Sequence, residues 1–125
     1  YADSVLPVID SGQAEIVAAN ATLGPGVHLE HAPGHTPGTV LIHLESGGAQ
    51  GVCTGDVLHH PLQLDCPEMT TGYFDDPVAE ARTRVALCER LADTSKLVLT
   101  AHFPAPSAGT IGRAGRRFRF DFANG

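Results

Sequence analysis

Three short apolar runs in this chain each lead to a histidine or an aspartate. Val27 to Ala32 alternates Val27 and Leu29 against His28 and Glu30, and a Pro/Gly turn then brings His35. Gln50 to Thr54 ends in Gly55-Asp56. Lys96 to Ala101, with Leu97-Val98-Leu99 at its centre, delivers His102. Runs of this length, apolar or alternating and bounded by Gly and Pro, read as strands. In layered α/β folds, polar residues just beyond strand ends on one sheet edge converge on a site. The pattern predicts an α/β domain whose candidate site is His35, Asp56 and His102.

The intervening segments fit that reading. Residues 1–13 are weakly patterned, Glu15 to Ala18 suits a short strand, and Leu23-Gly24-Pro25-Gly26 is a turn signal. Thr39 to Leu44 is a β-branched and apolar strand, joined to Gln50–Thr54 by a hairpin turn at Glu45-Ser46-Gly47-Gly48. Residues 57–75 carry little periodicity and read as a long irregular loop, a length that usually signals function. Asp76 is placed to cap a helix with Pro77 at its first position. Val78, Ala81, Val85, Cys88 and Leu91 then fall on one face, with Glu80 and Arg84 as an i,i+4 pair on the other. Ile111 to Phe122 reads as a hairpin around Ala114-Gly115, with Phe118 and Phe120 on one face and Arg117 and Arg119 on the other.

The 125 residues suffice for one domain, and 42% hydrophobic content is enough for a core. A net charge of −6 argues against a nucleic-acid surface, which needs a basic patch. Arg113, Arg116, Arg117 and Arg119 read as one solvated hairpin face. No apolar run approaches the ~18 residues of a membrane span, so no membrane partner is expected. Cys53, Cys66 and Cys88 are odd in number and widely spaced, which excludes a C-x-x-C site and reads as three reduced thiols, with one bridge and a spare thiol as the alternative. The chain opens Tyr1-Ala2-Asp3 with no signal-peptide pattern, like the interior of a longer chain. A cytoplasmic location is the expectation.

Two imidazoles and a carboxylate are a coherent ligand set for zinc or a similar divalent ion. The spacing alone also allows surface histidines that only hydrogen-bond. There is no G-x-S-x-G, no P-loop and no G-x-G-x-x-G, so serine-hydrolase and nucleotide-binding readings lack support.

His31-Ala-Pro-Gly-His-Thr-Pro-Gly38, then Cys53-Thr-Gly-Asp-Val-Leu-His59, then Leu99-Thr-Ala-His-Phe-Pro104 form an ordered set. This set resembles the second half of metallo-β-lactamase-fold hydrolases, in the branch containing methyl parathion hydrolase and related lactonases. The likeness runs from about Glu15 to Phe120. It implies the second half of an αβ/βα sandwich, a mixed sheet with helices on one face. It implies His35 as ligand to one metal, Asp56 as the carboxylate bridging two divalent ions, commonly zinc, and His102 as ligand to the other. Such sites hydrolyse lactones, carboxylic esters or phosphotriesters, and Asp56 is also the catalytic position.

The chain departs from the family in lacking its H-x-H-x-D-H motif, which lies in the first half of the domain. Residues 1–125 are therefore expected to form an incomplete domain, the C-terminal half. Thr39 stands where many relatives have a second histidine, which bears on the hydrogen bonds that orient ligands. His59 occupies a position that often carries histidine in this branch and is a candidate for the substrate pocket or for ligand support, with a solvent-facing histidine as the alternative. Phe74, Tyr73 and Phe103 are open to either a pocket wall or the core. His31 reads as structural, and His28 and His43 as outward-facing. Asp65, Asp75 and Asp76 read as loop and capping residues.

The expected function is metal-dependent hydrolysis of a small ester-like molecule. The rival is a non-catalytic half-domain that associates through its exposed sheet, either with itself as a homo-oligomer or with a complementing N-terminal half.

Overall fold

The computed structural model describes residues 1–70 and 72–124. A short helix, α1 (Leu6–Asp10), precedes seven strands: β1 (Thr22–Gly24), β2 (Val27–His31), β3 (Val40–Ser46), β4 (Ala49–Cys53), β5 (Leu97–Leu99), β6 (Ala108–Ala114) and β7 (Arg117–Phe122). Between β4 and β5 lie a 3₁₀ turn (Gly55–Val57) and helices α2 (Leu62–Asp65) and α3 (Pro77–Leu91). All seven strands form one sheet in chain order. Every pairing is antiparallel except β4 with β5, which α3 joins as a crossover.

Local chemistry explains the elements. Gly47 and Gly48 both take positive φ, 57° and 82°, and close a two-residue hairpin with Ser46 paired to Ala49. Asp76 caps α3 by accepting hydrogen bonds from the amides of Val78 and Ala79, with Pro77 at the first turn. The β6–β7 hairpin turns at Gly115 and buries Phe118 while Arg117 and Arg119 stay exposed. Arg113 pairs with Glu89, Arg117 with Asp65 and Arg119 with Asp121, so these arginines form solvated ion pairs.

Several expectations are corrected. Glu15–Ala18 forms no strand; its residues are exposed, and the first strand is Thr22–Gly24, which overlaps the start of the Leu23–Gly26 segment read as a turn. The 57–75 segment contains α2, whose Gln63 and Leu64 are buried; residue 71 of that segment lies outside the described residues. The inward face of α3 is Glu80, Arg84, Leu87, Cys88 and Leu91, whereas Val78 is 60% exposed. The helix is thus rotated toward its charged pair, because that pair satisfies backbone groups described below. His43 points inward, not outward: it is buried, stacked on His28 and paired with Glu30.

The core lies between the sheet and its helices. Leu41, Val52, Val98, Ile111 and Phe118 meet Leu64, Leu87, Cys88 and Leu91. Burial of side chains of this size contributes about 1.5–3 kcal/mol each. It also pushes the Cys88 thiol up to about 12. Cys53, Cys66 and Cys88 are all free thiols. The other sheet face is apolar but uncovered: register places Val27, Leu44, Gly51 and Leu97 in one row, and Leu29, Ile42, Cys53 and Leu99 in the next. Ile42 and Leu97 are exposed. Among the described residues no helix is long and apolar enough to cross a membrane.

Candidate metal centre

Three loops at one sheet edge build the site. The loop after β2 carries His35, the 3₁₀ turn after β4 carries Asp56, and the loop after β5 carries His102. The parallel β4–β5 pairing brings the last two together, with Cys53 opposite Leu99. Nε2 of His102 lies 2.7 Å from Oδ1 of Asp56, and Nε2 of His35 lies 3.4 Å from Oδ2. One carboxylate therefore spans two imidazoles with its two oxygens.

His59 joins this group. Its ring stacks on that of His102 at 5.0 Å and lies 5.0 Å from that of His35. Ligand atoms of His35, Asp56 and His59 all fall within 4.8 Å of one another. Gln63, buried on α2, accepts hydrogen bonds from the backbone amides of His59 and His60 and so fixes the His59 backbone. Phe74 closes one side, 5.5 Å from His35 and 5.7 Å from His59 between ring centres.

The electrostatics favour cation binding. The hydrogen bond from His102 holds the Asp56 carboxyl below the usual carboxylate range, against a smaller opposing effect of burial; His35 and His59 add to it. Burial lowers the pKa of His59; Asp56 opposes this, and His102, His35 and Arg84 add to it. An ionised carboxylate and a neutral imidazole are the forms that bind metal. Nδ1 of both His35 and His59 is buried without a hydrogen-bond partner. Among the described residues, His35, Asp56 and His59 form the group whose ligand atoms come close enough together to hold one metal ion, while His102 lies outside that group and reaches it through its hydrogen bond to Asp56. Two imidazoles and a carboxylate are a donor set that fits a divalent ion.

The remaining sequence candidates are placed elsewhere. Thr39 hydrogen-bonds through its hydroxyl to Thr36 and steadies the His35 loop. Phe103 is 5% exposed in the core, edge-on to Phe120, so it packs the sheet. Tyr73 is 91% exposed. His31 donates from Nε2 to the Pro37 carbonyl of the same loop at 2.8 Å. Gln63 and the Glu80–Arg84 pair escape a motif-based reading; for Glu80 and Arg84 the i,i+4 spacing was the available signal.

No family model matches the sequence, and no curated protein is significantly similar to it. Solved structures do match. The hydrolase AbOPH of the beta lactamase superfamily superposes with a TM-score of 0.90 at 24% identity, over 97% of this chain and 42% of that one. AidC, a dizinc quorum-quenching lactonase in complex with a product, gives 0.83 at 23% identity, over 91% and 39%. An N-acyl homoserine lactone hydrolase with product bound at its catalytic metal center gives 0.59 at 21% identity, over 71% and 35%. The chain thus spans about two-fifths of the length of the first two of these structures. At such identities the likeness carries architecture, and the seven-stranded mixed sheet with α2 and α3 packed on it has the fold of the metallo-β-lactamase superfamily hydrolases over that span.

Proposed function

We propose that this chain is the metal-holding C-terminal part of a hydrolase acting on a small ester-like molecule: a lactone, a carboxylic ester or a phosphotriester. His35, Asp56 and His102 would hold divalent cations, with zinc the favoured ion and a two-ion site the favoured arrangement. The observation that carries this reading is Asp56, whose two oxygens stand 2.7 and 3.4 Å from two different histidines. The superposition with AidC, a dizinc lactonase, supports the substrate class and the metal.

Divalent cations, when bound, lower the pKa of water and polarise a scissile ester or phosphoryl group. The chain's own residues do the rest. Asp56 stays ionised and orients the imidazoles. His59 lies over His102, where its ring can bound a substrate or support a ligand. Phe74 gives the site an apolar wall. The H-x-H-x-D-H ligands that the resemblance assigns to the first half of the domain would complete the coordination from outside these residues.

The test combines zinc titration by calorimetry with assays on p-nitrophenyl esters and homoserine lactones at added zinc or manganese. Binding tighter than millimolar, with turnover lost in Asp56→Ala, is the expected result. Absence of binding at millimolar zinc overturns the reading. A second reading, a non-catalytic module that associates through its sheet, is favoured by the uncovered rows containing Ile42, Leu44, Leu97 and Leu99. It predicts association without turnover.

A further inference from the structure

Arg84 and Glu80 are both fully buried and meet at 2.7 Å as an ionisable pair. Such burial is costly unless every donor and acceptor is engaged. Each of the three Arg84 nitrogens is engaged, whereas Oε2 of Glu80 is buried without a hydrogen-bond partner. Nε of Arg84 donates to the Val57 carbonyl at 3.1 Å, Nη1 to the carbonyls of Pro67 at 3.1 Å and Met69 at 2.6 Å, and Nη2 to Oε1 of Glu80 at 2.7 Å. The guanidinium also lies 5.9 Å from the centre of the Phe74 ring. Val57 directly follows Asp56, so one bond from Arg84 reaches the backbone beside the bridging carboxylate.

Glu80 sits on the other side of the same strut. A Cβ built on Gly34 would lie 2.3 Å from the Glu80 Cα and backbone nitrogen, so the His35 loop rests directly on the helix. Thr83 donates to the Pro33 carbonyl at 2.7 Å, and the amides of Asp75 and Asp76 donate to the carbonyls of His35 and Gly34. Burial raises the pKa of Glu80, opposed by Arg84 and by the nearby His35 backbone amide. The first two turns of α3 therefore grip the His35 loop on one side and, through Arg84, the Asp56 turn on the other.

We infer that the buried Glu80–Arg84 pair is a positioning device that sets the separation of His35 and Asp56 and thereby the metal affinity of the site. This inference rests on the metal-site reading above. Neither residue is among the candidate ligands. They act through backbone carbonyls and loop contacts, which makes the pair sensitive to geometry as well as charge: lysine keeps the charge of Arg84 but cannot reproduce a planar fork that serves four acceptors.

The experiment compares the wild-type chain with Arg84→Met, Arg84→Lys and Glu80→Gln. Cobalt(II) binding is read by visible absorption, and amide hydrogen exchange is read by NMR. All three variants are expected to bind cobalt about tenfold or more weakly, the range found when partners behind metal ligands are lost. Their amides at Asp75 and Asp76 should exchange faster while those of the β6–β7 hairpin keep their protection. If Arg84→Met does not fold, Arg84→Lys and Glu80→Gln carry the test. A folded variant with unchanged exchange at Asp75 and Asp76 and unchanged cobalt affinity overturns the inference. If the wild-type chain itself binds no cobalt, the metal reading falls. The positioning claim is then decided by the exchange data and by NMR distances between His35 and the Asp56 turn.

Discussion

The imidazole of His102 and the carboxylate of Asp56 meet at 2.7 Å although 46 positions separate them in the chain. Parallel pairing of β4 and β5 makes the meeting possible, because both strands end at the same sheet edge. Antiparallel pairing would send the two residues to opposite edges. Asp56 faces His102 with one oxygen and His35 with the other, so its loss removes the common partner of both histidines. Asp56→Ala is expected to abolish measurable zinc binding in calorimetry. His102→Ala should leave a weaker site built from His35, Asp56 and His59. Equal residual affinity in the two variants contradicts this ordering.

Gly34 has φ of +142° and lies against the backbone of Glu80. A methyl group there meets main-chain atoms at 2.3 Å, which cannot rotate away. Gly34→Ala must therefore push the His35 loop off α3 and also adopt a backbone conformation unfavourable to L-residues. Destabilisation of about 2 kcal/mol or more is expected in urea unfolding, in the range of strained backbone sites. Weaker zinc binding should accompany it. Gly38→Ala is the control, since a Cβ at Gly38 meets nothing within 4 Å.

Much of this arrangement is legible in the residues themselves. The alternation at Val27–His31 and the Gly47-Gly48 turn mark their elements directly, as does the Asp76-Pro77 start of α3. The strand ends at Asp56 and His102 are marked by apolar runs stopping at Gly55 and Ala101. What escapes is tertiary. Glu80 and Arg84 look like a solvated helical pair, because nothing local reveals that the 57–70 segment will present three carbonyls to the helix. Burying that pair rotates α3 and leaves Val78 outside. Phe103 adjoins His102 in sequence, yet its side chain turns into the core against Phe120. Glu15–Ala18 has strand-like composition but no neighbour to pair with.

Glu30 ties β2 to both the core and the helix: it accepts from His43 at 2.7 Å and pairs with Arg90 at 2.8 Å. Burial raises its pKa, but the hydrogen bonds and charges of Arg90 and His43 outweigh this and leave it below its ordinary value of 4.5. A carboxyl depressed by folding stabilises the native state above its unfolded pKa, and that contribution fades as pH falls through the folded value. Wild-type protein should therefore melt above Glu30→Gln at neutral pH, with the gap closing in acid. Thermal unfolding monitored by circular dichroism across the carboxylate range decides it. A gap that widens in acid has the wrong sign for this account.

Leu44 and Leu97 flank Gly51 on the uncovered sheet face, each with its Cβ 4.0 Å from where a Gly51 Cβ would stand. With Val27, Leu29, Ile42 and Leu99 they make a contiguous apolar surface. Surfaces of this kind associate in water, and a second copy offers the same face to close a symmetric pair. The isolated chain is expected to run as a dimer or larger species in sedimentation velocity. Leu97→Glu should shift it toward monomer without disturbing the fold, because Leu97 lies on the face opposite Val98 and its helix-side core. A wild-type chain that stays monomeric at high micromolar concentration refutes self-association. The same face would then be free for a different partner, which Leu97→Glu should equally repel.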